Sequence, residues 1–312
     1  MTAPKKICFI YPSRNIGGAQ ILFERLAIAL SKRNKIAVTI VDYSDGFLAS
    51  RLENYQNISL IEFKSIPLNL EKDMLIILPL SHLIDLGDFL NIGHSSGYKI
   101  LFWSIHPDNI RHIVYNRYRR PLLKKNLLKS LVRNLDEKSN IAYMDGVNYK
   151  SVQKVLEKGT VKSPVYIPIP MTSIRTKKMK RKGVKQFSII WLGRLSNDKV
   201  NSVIKIIDEC AKLKDKYNIK LHIIGEGIFR EDIRKYSDKV GVSCEFKGVL
   251  INEELTQFLC ENADLGVSMG TSCLEIAARG IPSALIDYSH TEFPKDIKYN
   301  WIFETSDYNL GG

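Results

Sequence analysis

Acidic residues are scarce in this chain: 33 Asp and Glu stand against 46 Lys and Arg, a formal net charge of +13 at pH 7. Such an excess implies an anionic partner, with nucleic acid, anionic lipid and a phosphorylated substrate all qualifying. Cysteine is sparse too. Cys8, Cys210, Cys244, Cys260 and Cys273 are odd in number and widely spaced, with no Cys-x-x-Cys pair and no zinc-ligand spacing with histidine. A disulfide framework and a structural zinc are thereby disfavoured, and the cysteines read as small buried side chains in a reducing compartment. Long apolar runs are missing. The greasiest stretch, Met74 to Leu90, carries Asp85 and Asp88 and is interrupted by Pro79, which excludes it as a membrane span. The N-terminal MTAPKKICFIYPS ends its apolar run at Pro12, too early for a signal-peptide core, and reads as a first strand. A cytoplasmic location is expected. Nor does the chain contain G-x-G-x-x-G in its first βα turn, which disfavours a nicotinamide or flavin dinucleotide site.

What is present is alternation. With 312 residues, 45% of them hydrophobic, the chain suffices for two domains. KKICFIY, PSRNIGGAQ, ILFERLAIALSKR and KIAVTIV read as strand, glycine loop, helix and strand, a βαβ unit. Gly17 and Gly18 fall at the carboxyl end of its first strand, where open parallel sheets place ligands. A later strand, Lys99 to Ile105, is followed at once by His106. Prolines 164, 168 and 170 and a basic run from Arg175 to Lys185 suggest an exposed connection. Domains are expected at 1–170 and 187–312, joined by a basic linker at 171–186. The second half repeats the alternation: FSIIWLGRLSNDK, a helix, KLHIIGEG, a helix, VSCEFKGVL and a helix.

The densest signal is ADLGVSMGTSCLEIAARGIPSALID, residues 263 to 287. Leu265 to Met269 reads as a strand, Gly270 to Ser272 as a turn, and the residues around Leu274, Ile276 and Ala277 as a short helix closed by Gly280 and Pro282. A glycine turn at a helix start lets the backbone approach a phosphate beside the positive end of the dipole. Glu275 could then take the hydroxyls of an attached ribose. The same residues also fit a capping box, Ser272-x-x-Glu275, and these residues alone leave both readings open.

Between Asp108 and Asp136 no acid occurs, while Arg111, Arg117, Arg119, Arg120, Lys124, Lys125, Lys129 and Arg133 interleave with leucines at helical spacing. This is a basic amphipathic helix, either docked with a solvated basic face or adsorbed on an anionic membrane through Lys124, Lys125 and Lys129. Nucleic-acid binding is disfavoured, since no recognised motif or aromatic platform accompanies the charge.

WLGRLSNDK, HIIGEG, EFKGVL and the 263–287 stretch resemble the retaining GT-B glycosyltransferases of family 4, especially the bacterial polysaccharide and lipopolysaccharide enzymes. The likeness extends over nearly the whole chain. It implies an α/β fold of two Rossmann-like domains facing a cleft. It further implies that Arg194 and Lys199 bind the donor diphosphate as catalytic cations, with Gly193 in their loop and Glu226 of HIIGEG among the donor contacts. By the same resemblance the helix start at Gly270, Thr271, Ser272 and Cys273 supports the phosphates and Glu275 holds the ribose. Gly17 and Gly18 of GGAQ, and His106, match positions of donor and acceptor contact, with His106 orienting the sugar. No metal or other cofactor is implied. Arginine, lysine and oriented amides suffice to stabilise charge developing on a leaving phosphate. Two departures stand out. The first Glu of the family's E-x7-E is replaced by Val267, and the family usually continues through a further strand and helices past the position of Gly312, so the C-terminal domain is expected to be shortened.

The expected activity is transfer of a sugar from a nucleoside diphosphate donor to a growing, lipid-linked cell-surface glycan. It would proceed with anomeric retention, in the cytoplasm or peripherally on the inner face of the plasma membrane. An inactive nucleotide-binding subunit of the same fold is the alternative from another class, and a GT-B sugar-nucleotide epimerase is a further one.

Overall fold

The computed structural model describes residues 4–33, 36–64, 68, 70–71, 73–86, 90, 98–115, 125–157, 163–167, 169–171 and 186–311. The chain divides into two compact units, Met1–Pro170 and Met171–Gly312.

The first unit contains β1 (Lys6–Ile10), α1 (Gly18–Ser31), β2 (Ala37–Asp42), α2 (Phe47–Leu52), β3 (Ile58–Glu62), β4 (Leu75–Pro79) and β5 (Lys99–Ser104). It continues through α3 (Asn109–Tyr115), α4 (Lys125–Glu137), β6 (Ile141–Tyr143), α5 (Gly146–Leu156) and β7 (Val165–Tyr166). Its strands form one sheet in the order β3-β2-β1-β4-β5-β6-β7, every pair parallel. A parallel sheet covered on both faces needs strands that are apolar at every position. β1 meets that need: Cys8 and Ile10 join one core and Ile7 and Phe9 the opposite one.

In the second unit β8 (Phe187–Leu192), α6 (Val200–Leu213), β9 (Ile219–Ile224), α7 (Arg230–Val240), β10 (Cys244–Gly248) and α8 (Asn252–Asn262) precede the 263–287 stretch. That stretch itself forms β11 (Leu265–Ser268), α9 (Gly270–Ala277) and β12 (Ser283–Leu285), and β13 (Asn300–Trp301) follows. The order is β10-β9-β8-β11-β12-β13, parallel except for the antiparallel edge pair β12–β13. Ile189 and Trp191 of β8 enter one core, Ile190 and Leu192 the other. Both units thus reverse their strand order once among these connections, at β1/β4 and at β8/β11. Such a reversal parts the loops on either side and opens a crevice at the carboxyl ends of the two strands.

The basic helix divides its apolar residues. Leu128 and Val132 of α4 are buried, whereas Leu127 and Leu131, also four residues apart, are 58% and 43% exposed. Lys129 is not on the solvent face expected of it. It is buried, with its Nζ 2.5 Å from Glu157 Oε1, because the helix turns this position toward the end of α5. Arg133 likewise donates to the Leu156 carbonyl at 3.1 Å. Lys124, the side chain of Lys125 and the linker at 172–185 lie outside the described residues. No helix among the described residues is long and apolar enough to cross a membrane.

Candidate functional site

The loop after β8 and the start of α9 flank the β8/β11 reversal in the second unit, and seven of the expected site residues belong to them: Gly193, Arg194, Lys199, Gly270, Thr271, Ser272 and Cys273. The β8 loop is held from below. The fully buried Trp191 donates its indole Nε1–H to the Gly193 carbonyl at 3.2 Å. Strand pairing then continues past the strand ends, with Gly193 N donating to Ile224 O and Leu195 N to Glu226 O, both at 2.9 Å. Gly225 makes this approach possible. Its φ is +135°, and a Cβ there would stand 2.0 Å from the Gly193 carbonyl oxygen. Arg194, between the two pinned residues, is exposed.

Lys199 closes the loop at the N-cap of α6. It is mostly withdrawn from solvent, and this desolvation pushes its ammonium below the usual lysine range. The neighbouring charge of Asp198 opposes the shift and that of Arg194 adds to it. No carboxylate among the described residues is within ion-pair distance of either cation. The Asp198 carboxylate instead accepts from Ser196 Oγ at 2.5 Å. Two neighbouring cations, neither in an ion pair, one of them desolvated at the positive end of a helix, form a site for an anion.

Across the reversal, Ser268 Oγ donates to the Leu192 carbonyl at 2.6 Å and ties the end of β11 to the end of β8. α9 begins directly afterwards, with Met269 as its N-cap. Gly270 has φ +60°, and the space where its Cβ would stand is open, so the backbone conformation demands glycine while the approach to the helix end stays clear. The amides of Thr271, Ser272 and Cys273 are first-turn donors that the helix's own carbonyls cannot reach. The Gly270 amide is committed: it donates to the Leu310 carbonyl at 2.7 Å. Cys273 contributes an amide and not a nucleophile, because burial pushes its thiol up to about 12.

This start of the helix, two residues ahead of Ser272, removes the capping box. Ser272 is the third residue of α9 and Glu275 the sixth, so neither occupies its box position. Glu275 instead pairs with Arg279, Oε2 to Nη1, at 2.6 Å, its side chain 14% exposed. Val267 is a buried residue of β11 in the core that holds Trp191 and Ile223. Only Ser268 and Met269 separate Val267 from the first residue of α9. Glu226 sits at the carboxyl end of β9, ion-paired with Arg230.

In the first unit, Gly17 is the N-cap of α1, in an extended conformation (φ −165°), and Gly18 is its first residue. Both flank the β1/β4 reversal. The acid at the end of β2 is Asp42. It is buried and accepts from the amides of Ser13, Tyr43, Leu48 and Ala49 at 2.8–3.1 Å. His106 follows β5, two strands from β1. The Asp108 amide donates to its Nδ1 at 3.2 Å, so the neutral ring carries its proton on Nε2. Nearer the reversal is His82, just beyond β4, in edge contact with the Tyr11 ring at 5.9 Å and with Asp85 at 3.3 Å. His82, Arg279 and Thr256 escape sequence reasoning. The order of the strands was the signal that could have found His82; the other two have none.

Among the described residues no group of His, Cys, Asp and Glu has the makeup of a metal site. Among the described residues of the second unit, the two cations, the α9 amides and Glu275 are groups able to hold a ligand.

Two Rossmann-type units in one chain are the architecture of the GT-B glycosyltransferases, and solved members of that class are what this chain is similar to. HepE of Anabaena, solved in complex with UDP and glucose, superposes with a TM-score of 0.64 at 14% identity, over 92% of this chain and 82% of that one. WaaG, a glycosyltransferase involved in lipopolysaccharide biosynthesis, gives 0.55 at 12% identity over 90% and 80%. The lipopolysaccharide outer core galactosyltransferase WaaB gives 0.54 at 14% over 90% and 80%. At these identities the likeness is one of fold. No family model matches the sequence, and no curated protein does.

Proposed function

We propose that this protein is a glycosyltransferase that moves a sugar from a nucleoside diphosphate donor to a glycan acceptor. The observation that carries the reading is the pair Arg194 and Lys199, neither held in an ion pair among the described residues, at the same β8/β11 reversal as the first-turn amides of α9. The diphosphate of the donor lies against these groups, and Glu275 meets the ribose. As the glycosidic bond breaks, charge collects on the departing phosphate oxygens, where fixed cations and amides stabilise it more than they stabilise the bound donor. Transfer proceeds with retention, the departing phosphate accepting the proton of the acceptor hydroxyl. His106, with its proton on Nε2, donates to a sugar oxygen; it is not the base. Glu226 joins the donor contacts of the second unit.

Several neighbours in fold act in glycan synthesis, which supports a growing, lipid-linked glycan as acceptor. Lys124 and Lys125, adjoining the exposed Leu127 and Leu131, bring the enzyme to an anionic membrane surface. Val267 is buried in the core, and transfer of sugar, as against nucleotide binding alone, is what separates this reading from an inactive nucleotide-binding subunit of the same fold.

The test is a thermal-shift screen of nucleoside diphosphates and their sugars, followed by turnover of the best donor. Arg194→Ala is expected to lower turnover at least about a hundredfold, the scale of one lost transition-state donor. Near-wild-type turnover in that variant, or no stabilisation by any nucleotide, would sink the assignment.

A further inference from the structure

The partner of Glu275 is a buried guanidinium. Arg279 follows α9, four residues beyond Glu275, and its side chain is only 5% exposed. Its Nη1 donates both to Glu275 Oε2 and to the Glu275 carbonyl, each at 2.6 Å. Its other edge reaches a different helix. Nη2 and Nε donate to Thr256 Oγ1 at 2.7 and 3.2 Å, and the Thr256 hydroxyl is turned toward its acceptor, the Asn252 carbonyl, at 2.8 Å. The hydroxyl proton is thus committed to α8, leaving the oxygen lone pairs to receive the guanidinium. One planar fork bridges α8 and α9 and grips the carboxylate between them, a task that needs two separated donor edges and that a lysine cannot perform.

A carboxylate beside a diphosphate site has two liabilities. It repels the ligand's negative charge, and a freely rotating side chain presents its oxygens to a ribose only part of the time. Arg279 answers both, supplying a buried counter-charge and tying Oε2 of the side chain to the residue's own backbone carbonyl through one guanidinium nitrogen. We propose that Arg279 is the positioning residue for Glu275, setting the orientation and charge with which that carboxylate recognises the ribose hydroxyls of the donor. The inference rests on the nucleotide reading given above.

Calorimetry on the full chain tests it, with UDP, GDP and ADP each compared with its 2′-deoxy form. Wild type is expected to prefer the ribose form of its nucleotide by at least about tenfold, the scale of hydrogen bonds to a charged group. Glu275→Gln and Arg279→Met should each bring that ratio close to one, and the double variant should lower it no further. Arg279→Lys, which keeps the charge and loses the bridge, should also lose the ratio, and Thr256→Val should reduce it. A folded Arg279→Met with the wild-type ratio, or one that weakens ribose and deoxyribose forms equally, would assign Arg279 a merely structural role and overturn the proposal. If Arg279→Met does not fold, Arg279→Lys and Thr256→Val decide by the same ratio. Wild-type binding without ribose preference overturns this inference alone, whereas failure to bind any of the three diphosphates overturns the nucleotide reading beneath it.

Discussion

Replacing Lys199 by methionine separates the proposed role from a structural one, because the two predict changes of opposite sign. Lys199 is desolvated, lies beside Arg194, and has no carboxylate within ion-pair distance. In the free protein its charge therefore opposes folding, and Met, of similar length and apolar, should raise stability. The expected gain is about 1 kcal/mol, a usual scale for a point change, or a few degrees in Tm for a unit of this size. Turnover should fall by roughly 10²–10³, as when one oriented donor to a developing oxyanion is lost. The pH dependence follows from linkage. Burial lowers the folded-state pKa below the unfolded value of about 10.4, so over the window between them the unfolded chain holds a proton that the folded chain has released. Wild-type stability relative to the variant then climbs with pH through that window, and below it the penalty is constant. A bound diphosphate restores the proton, so calorimetry at alkaline pH in buffers of differing ionisation enthalpy should register proton uptake in wild type and none in the variant. Scanning calorimetry and a donor-turnover assay read both halves. Unchanged turnover together with a lowered Tm would refute the reasoning and make Lys199 a part of the scaffold.

Gly225→Ala places a methyl group 2.0 Å from the Gly193 carbonyl oxygen and should cost about 1–3 kcal/mol in urea unfolding, while reducing the nucleotide-induced thermal shift through displacement of the Arg194 loop. Lys220 and Lys247 hold Glu245 down to about 2. Its contribution to stability is present above the ordinary glutamate value of about 4.3 and is lost as pH falls toward 2, so the Tm gap between wild type and Glu245→Gln should close across that interval. Removing the charges of Lys124 and Lys125 should weaken co-flotation with phosphatidylglycerol vesicles about thirtyfold at low salt, near 1 kcal/mol per lysine, and Leu127→Ser with Leu131→Ser should weaken it further. Unchanged flotation would return α4 to the role of an ordinary docked helix.

The sequence by itself determined the two alternating α/β halves, because a parallel sheet covered on both faces requires continuous apolar runs such as SIIWL, and each run is bounded by its own turn residues. It also showed the glycine turn leading into α9, a local pattern, whereas Arg194 and Lys199 stood out only through the resemblance of WLGRLSNDK to a known family. What a residue meets across the fold was decided only by tertiary structure. Ser272 and Glu275 spell a capping box along the chain, yet Leu310, far along in sequence, takes the Gly270 amide, and the helix starts three residues earlier than the box requires. Val267 stands in a motif position by count and in the core by packing. Lys129 reads as a surface cation until Glu157 is brought beside it. His82 and the Arg279–Thr256 bridge have no local signature, because strand order and contact between helices are properties of the assembled sheet and not of any window of sequence.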